Sequence, residues 1–208
     1  MHQDAKFWNR VAKRYAKSPV ADQVSYEHKL EVTRGHFTPE MKVLEIGCGT
    51  GTTALLHAPH VKHIRATDIS ENMITIAREK AAAQDIRNVD FEVSAIDDLK
   101  IEDESIDMVM AHSILHLVTN RKEVIERVFR MLPPGGLFIT STACLKDALG
   151  FLKPLLPVMR LVGFAPKTVE FFTAAQLEQE FRDAGFEVDY NWRPNPKQGV
   201  FMVLRKPT

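Results

Sequence analysis

Val43-Leu44-Glu45-Ile46-Gly47-Cys48-Gly49-Thr50-Gly51 is the stretch from which the fold can be read. An apolar run, Met41 to Ile46, ends in alternating glycines, and a segment able to turn helical, Thr50 to about Ala58, follows. A short apolar run closed by glycine reads as a buried strand. Glycine permits left-handed backbone and lets the main chain approach a ligand closely. The next helix opens with N–H groups that have no partner within the helix, so they are available to an acceptor. The unit is therefore strand, ligand-binding turn, helix.

The same alternation continues outward. His63 to Asp68, Val89 to Ala95, Ile106 to Ala111 and Leu137 to Thr140 read as strands. Ser70 suits a helix N-cap, and the helix through Gln84 sets Met73, Ile74, Ala77 and Ala81 on one face. Residues 120–132 give another helix, with Val124, Ile125, Val128, Met131 and Leu132 together, stopped by Pro133-Pro134-Gly135-Gly136. Before the loop, residues 5–16 and 22–36 read as helices. After it, Thr173 and Gln176 form a capping box for a helix ending at Gly185. Phe186 to Trp192 and Val200 to Leu204 then make a hairpin across Pro194-Asn195-Pro196-Lys197-Gln198-Gly199. Residues 145–172 stand apart: rich in Leu, Met and Phe, broken by Pro154, Pro157 and Pro166, they read as an inserted helical lid.

The expected fold is α/β: a doubly wound, seven-stranded, mostly parallel sheet with a terminal antiparallel hairpin. The chain reads as one domain over 1–208, with amino-terminal helices over 1–37 and the lid-like insertion. Ligands in such sheets bind beyond the carboxyl ends of the strands, where strand order reverses.

Composition narrows the partners. The chain has 208 residues with 27 basic and 27 acidic side chains, so no basic excess calls for nucleic acid. Its two cysteines, Cys48 and Cys144, make no disulfide framework. The opening Met1-His2-Gln3-Asp4-Ala5-Lys6 lacks the plan of a signal peptide. No apolar run reaches the roughly 18 residues of a membrane span. A cytoplasmic setting without stable membrane insertion is expected.

The loop spacing argues against one common cofactor class. A dinucleotide fingerprint is G-x-G-x-x-G; here the third glycine, Gly51, comes one residue early. Glu45 precedes Gly47 by two, and Asp68 closes the second strand 21 residues after Gly47. A carboxylate there can accept hydrogen bonds from both hydroxyls of a ribose.

Acidic-x-G-x-G-x-G resembles the first motif of the class I S-adenosylmethionine-dependent methyltransferases. Ala66-Thr67-Asp68-Ile69-Ser70-Glu71-Asn72-Met73 looks like their second motif. Ser105-Ile106-Asp107-Met108-Val109 resembles the approach to their fourth strand, and Leu132-Pro133-Pro134-Gly135-Gly136 their L-x-P-G-G turn. Phe7-Trp8-Asn9-Arg10-Val11-Ala12-Lys13-Arg14-Tyr15 is similar to the amino-terminal helix of the ubiquinone/menaquinone-biosynthesis type of small-molecule methyltransferase.

The resemblance implies S-adenosylmethionine as cofactor, S-adenosylhomocysteine as its product, and a small-molecule methyl acceptor. It places Glu45 near the cofactor, with Gly47, Cys48 and Gly49 against its methionine portion and ribose. Asp68 would bind the ribose diol, and Ile69 and Met73 would flank the adenine. Many relatives place an aspartate after the third strand; here Ser94 stands there, leaving either the backbone of Ala95 and Ile96 or a reach from Asp97 to meet the base. Asp97, in an acidic run to Glu104, reads as a solvated loop. Tyr15 reaches either the cofactor carboxylate or the core, with Tyr26 a second tyrosine of the same kind.

Methyl transfer from a sulfonium needs alignment more than proton chemistry. Where the nucleophile must lose a proton, a base is required. His112 and His116 are the candidates: they follow the fourth strand, and a helical turn over 112–116 would put both on one face. His112 alternatively lines the cofactor and His116 supports packing. His57, His60 and His63 lack the acidic or cysteine company of a metal site. The fourth strand ends in Ala111-His112-Ser113-Ile114, unlike the D/N-P-P-Y/F motif of nucleic-acid methyltransferases. The apolar content of 145–172 suits a cover for an aromatic or lipophilic acceptor, packing on the sheet, or a homodimer contact. Two other readings stay open: a cofactor-binding regulatory module without turnover, and a nicotinamide-dependent oxidoreductase.

Overall fold

The structure, a computed structural model, describes residues 4–149, 154, 156–161, 165–195 and 198–208. Seven strands form a single sheet: β1 (Lys42–Ile46), β2 (His63–Asp68), β3 (Val89–Val93), β4 (Met108–His112), β5 (Leu137–Thr142), β6 (Glu187–Trp192) and β7 (Val200–Arg205). Their order is β3-β2-β1-β4-β5-β7-β6. The first five run parallel; β7 lies antiparallel between β5 and β6. The expected doubly wound sheet with a terminal hairpin is what the chain forms. Order reverses between β1 and β4, so the loops after these two strands diverge and leave a crevice.

Eight helices, α1 (Ala5–Lys17), α2 (Gln23–Arg34), α3 (Thr52–His57), α4 (Glu71–Ala83), α5 (Arg121–Met131), α6 (Leu145–Leu149), α7 (Leu156–Leu161) and α8 (Ala174–Asp183), occur among the described residues. Side chains alternate across each strand, so the sheet has two apolar faces. Leu44, Val109 and Phe138 pack with Ile125 and Val128 of α5 and Phe181 of α8. Val43, Met108 and Ile139 pack on the other face with Ala54 of α3 and Ile74 of α4. Phe138 and Phe181 meet edge to face at 5.7 Å. Burying each such side chain contributes about 1.5–3 kcal/mol.

The caps form as their residue types require. Ser70 Oγ accepts from Met73 N–H at 3.2 Å, and Thr173 with Gln176 forms the reciprocal capping box. The helix after the glycine loop is shorter than expected: Gly51, left-handed at φ +73°, is its N-cap and delays its start to Thr52.

The stretch 112–116 departs from expectation. His112 ends β4, Ser113 turns left-handed at φ +57°, and a short 3-10 turn covers Leu115–Leu117. The Ser113 N–H donates to the Ser141 carbonyl at 2.6 Å, which holds the chain to β5 instead of letting it coil. His112 and His116 therefore do not share a helical face.

Two segments close over the carboxyl ends of the strands. Helix α1 lies on α4, where Asn9 Oδ1 accepts from Ser70 Oγ (2.7 Å) and Asn72 N–H (3.1 Å). The segment 165–172 comes from the insertion. Its Lys167 and Thr168 N–H groups donate to the Asp4 carboxylate at 2.6 and 3.0 Å, and Glu170 N–H donates to the His116 carbonyl at 2.8 Å. Phe172 is buried beneath the Arg121 guanidinium, 3.7 Å from the ring centre, and Arg121 forms a bidentate pair with Glu180. Val158, Met159 and Leu161 of α7 are exposed instead of packed on the sheet. Of the insertion's other apolar residues, Phe151, Leu152, Leu155, Val162 and Phe164 lie outside the described residues.

Candidate functional site

The glycine loop is shaped by two different demands. A Cβ on Gly51 would lie 2.7 Å from the Phe91 ring and 2.8 Å from Ala77, so packing requires glycine there. A Cβ on Gly49 would meet only Tyr15, at 3.7 Å. Gly49 is left-handed at φ +54° and opens on a cavity, so its bare backbone serves the ligand side of the loop.

Hydrogen bonds tie this loop to β2. The Gly49 N–H donates to Asp68 Oδ2 at 3.0 Å, and the Ser70 N–H to Asp68 Oδ1 at 2.9 Å. Each carboxylate oxygen accepts about two hydrogen bonds, so Asp68 keeps capacity toward the cavity it lines. Burial pushes its pKa up, while these two amides draw it back. The Cys48 N–H donates to the Thr67 carbonyl at 2.9 Å. The Cys48 thiol is buried, which together with Glu45 and Asp68 keeps it protonated.

Glu45 is enclosed behind the loop, and its Oε2 is buried without a hydrogen-bond partner. Burial raises its pKa to about 8; the Ala54 N–H opposes the rise and the Asp68 charge adds to it. A buried carboxyl oxygen left unpaired is costly.

A cavity of about 800 Å³ runs from this loop across the ends of the strands. That is toward the upper end of the range for small-molecule sites. Asp68, Ile69, Met73, Ala95 and Ile96 wall one end. Asp97 also reaches the wall; its side chain is exposed as expected, yet it borders the cavity. Ile114, Leu117, Val118, Val124, Leu145 and Val169 add apolar side chains to its wall. Residues 165–172 thus form part of its cover.

His112 and His116 both line this cavity. Each is lowered to about 4, His116 by burial and His112 by burial together with the nearby Lys29. Both rings are neutral near pH 7. His116 Nδ1 is buried without a partner.

A second cavity, about 480 Å³, lies between α2, α3 and the sheet. Tyr15, Ser18, Gly47, Gly49, His112 and Ser113 border both cavities, so the two adjoin there. Tyr15 is not a core residue: it is half-exposed, beside Gly49. Its phenol pKa is raised by burial of the hydroxyl end and by Asp68 and Glu45. The Tyr26 hydroxyl meets Thr53 Oγ1 at 3.1 Å, and Glu45, Cys48 and His57 border the second cavity. The histidines at 57, 60 and 63 do not converge. His57 is fully buried edge-on to Phe37, and His63 pairs with Asp90.

Sequence reasoning missed Asp4, Asn9, Lys29 and Ser141. Asn9 sat within a quoted motif, and its contacts to Ser70 and Asn72 give that motif a use. The other three carry no local pattern.

Residues 37–185 match the family described as a methyltransferase domain. An arsenite methyltransferase of Halobacterium salinarum is 34% identical over 101 residues, which cover 47% of this chain and 26% of that protein. The chain thus spans about a quarter of that relative's length. A demethylmenaquinone methyltransferase of Symbiobacterium thermophilum is 27% identical, over 89% of this chain and 85% of that one. The structure of YcgJ from Bacillus subtilis superposes with a TM-score of 0.70, over 88% of this chain and 99% of that one. Its 17% identity makes this a likeness of fold.

Proposed function

The chain belongs to the methyltransferase domain family, and on that premise we propose that it transfers a methyl group from S-adenosylmethionine to a small acceptor, aromatic or lipophilic, held beside residues 113–124 and 165–172. One observation carries the reading. A single cavity of about 800 Å³ is lined both by the Asp68 carboxylate, which suits a ribose diol, and by the apolar side chains of Ile114, Leu117, Val118, Val124 and Val169.

The residues fit the cofactor. Asp68 has spare acceptor capacity for a ribose diol. The unpartnered Glu45 Oε2 suits the ammonium of a methionyl group. Ile69, Met73, Ala95 and Ile96 offer apolar walls to adenine. Tyr15, a protonated phenol beside Gly49, is placed to donate to the methionyl carboxylate. Gly47 and Gly49 contribute bare backbone; Cys48 contributes its loop position, since its N–H is committed to Thr67. Bound there, S-adenosylmethionine supplies a methyl group on a cationic sulfur, already activated.

The protein's task is to hold the acceptor in line and dry, which supplies a large effective concentration. His112 and His116 are the side chains we assign to the acceptor. Buried and neutral, they accept a hydrogen bond from an acceptor O–H or N–H and orient it. With pKa values about 4 they are weak bases, since a general base works best near the operating pH. An acceptor that reacts without losing a proton suits this wall best.

The reading extends to setting and partners. Equal acidic and basic counts support a small molecule over nucleic acid. No helix among the described residues is long and apolar enough to cross a membrane. We place the protein in the cytoplasm, with the exposed apolar residues of α7 as a homodimer contact.

Isothermal titration with S-adenosylhomocysteine, followed by turnover of S-adenosylmethionine against an acceptor panel, tests the function. Binding of NAD but not of S-adenosylhomocysteine would overturn it in favour of an oxidoreductase. Binding without turnover of any acceptor would favour a regulatory module.

A further inference from the structure

The second cavity contains a positive charge that methyl donation does not use. Lys29, on α2, donates from Nζ to Ser141 Oγ at 2.9 Å. Among the described residues it makes no ion pair, and the carboxylate whose field reaches it is Asp22. That carboxylate is committed elsewhere: Oδ1 accepts from Ser25 N–H at 3.0 Å, and Oδ2 from Ser25 Oγ and Gln198 Nε2, each at 2.6 Å. Lys29 is partly enclosed, and burial lowers its pKa. A lysine taken from water is normally paired. Ser141 takes one of its three N–H donors, and Lys29 lines a cavity that His112, a neutral ring, and Ser141 also border.

Its place in the sheet says what the charge is for. Asp68 ends β2, the glycine loop follows β1, His112 ends β4, and Ser141 lies in β5. Neighbouring strands are about 4.8 Å apart, and β1, β4 and β5 are consecutive neighbours. Lys29 therefore stands two strands beyond the loop, on the side away from Asp68. Glu45 and Tyr15, assigned above to the methionyl end of the donor, border the second cavity from β1 and α1, which leaves its β5 side, where Lys29 meets Ser141, to the acceptor. The two cavities meet at Gly47, His112 and Ser113, so an acceptor reacting at this junction can reach both.

We propose that Lys29 recognises an anionic group, a carboxylate, on the methyl acceptor, with Ser141 holding the ammonium in place. The acceptor is then an acid with an apolar body. This rests on the methyltransferase reading above. The same carboxylate chemistry exists on the methionyl end of the cofactor, and the test separates the two.

Benzoate, phenylacetate and octanoate, each beside its neutral primary amide, are titrated calorimetrically into the protein, ligand-free and saturated with S-adenosylhomocysteine. At least one acid is expected to bind tenfold or more tightly than its amide. Lys29→Met and Lys29→Gln are expected to erase that preference, and Lys29→Arg to keep it. All three are expected to leave the affinities for S-adenosylhomocysteine and 5′-methylthioadenosine, which lacks the amino-acid part, unchanged. Equal binding of acids and amides by the unmodified protein, or no measurable binding of any acid, overturns the proposal without any variant having to fold. So does a preference that survives in Lys29→Met. A tenfold loss of S-adenosylhomocysteine affinity in Lys29→Met, with 5′-methylthioadenosine unaffected, assigns the carboxylate to the cofactor and overturns it too. Failure of the unmodified protein to bind S-adenosylhomocysteine is a separate result, and it is the donor reading that falls.

Discussion

The Gly49 N–H donates to Asp68 Oδ2 at 3.0 Å, so the loop after β1 and the end of β2 are a single hydrogen-bonded unit. Asp68→Ala strips an acceptor from Gly49 and Ser70 together and removes the carboxylate proposed to bind the ribose. A hydrogen bond to a charged group is worth about 1.5–3 kcal/mol. Affinity for S-adenosylhomocysteine is expected to fall about 10- to 100-fold, measured by titration calorimetry. Full affinity in the variant would remove Asp68 from the site.

The neighbouring glycines should fail differently. Gly49→Val places a branched side chain at φ +54° on the cavity side. It should lose cofactor binding while the sheet stays folded. Gly51→Ala drives a Cβ into Phe91 and Ala77, and overpacking of this kind costs about 1–3 kcal/mol. Urea denaturation should register Gly51→Ala first and titration Gly49→Val first; the reverse order would contradict the division of labour between them.

Glu45 should make binding sensitive to pH. Its pKa in the folded, ligand-free protein is about 8, above the ordinary 4.5. The folded state holds this proton more tightly, so the stability it contributes is full below pH 4.5 and is lost as pH rises through 8. Pairing with an ammonium would ionise Glu45. Binding of S-adenosylhomocysteine should then release up to one proton and tighten as pH rises toward 8. Calorimetry in buffers of different ionisation enthalpy measures the release, and Glu45→Gln should abolish it.

Acid should act through His57. Burial holds its pKa at about 3 against the ordinary 6.5, so its contribution is full above pH 6.5 and is lost as pH falls toward 3. His57→Phe, edge-on to Phe37, removes a buried ring whose two nitrogens have no partner. Stability should then decline less steeply between pH 6.5 and 3. His112 and His116 titrate in part of the same window, so a reduced slope is expected rather than a flat one.

Asp4 holds the cover. With Asp4→Ala, the Lys167 and Thr168 amides lose their acceptor. Their hydrogen exchange should quicken tenfold or more, while the Glu170 amide, bonded to the His116 carbonyl, stays protected. Uniform exchange along 165–172 would mean the segment opens as one piece.

What was legible in the sequence was local. The glycine spacing, Glu45, Asp68 and the apolar strand runs each carry their signal within a few residues. The sheet follows from them, as does the proposed donor end of the site, and the family match over 37–185 bears the resemblance out. What escaped is long-range. Lys29 and Ser141 meet across 112 residues, and Asp4 and Thr168 across 164; a single polar side chain with a distant partner leaves no periodic trace. The expected helical turn over 112–116 failed for a related reason. Ser113 takes its left-handed conformation while bonded to Ser141, a constraint set by β5 and invisible in the local sequence.

The strand order has an evolutionary consequence. Apart from Tyr15 of α1 and Met73 of α4, the residues proposed for the donor hang on the ends of β1, β2 and β3, on one side of the reversal point. The surfaces proposed to face the acceptor come from the other side and from segments that carry no strand, 113–124 and 165–172. Mutation can rework the second set while purifying selection holds the first. Lineages that share this architecture are free to diversify in what they methylate without reinventing how they obtain the methyl group.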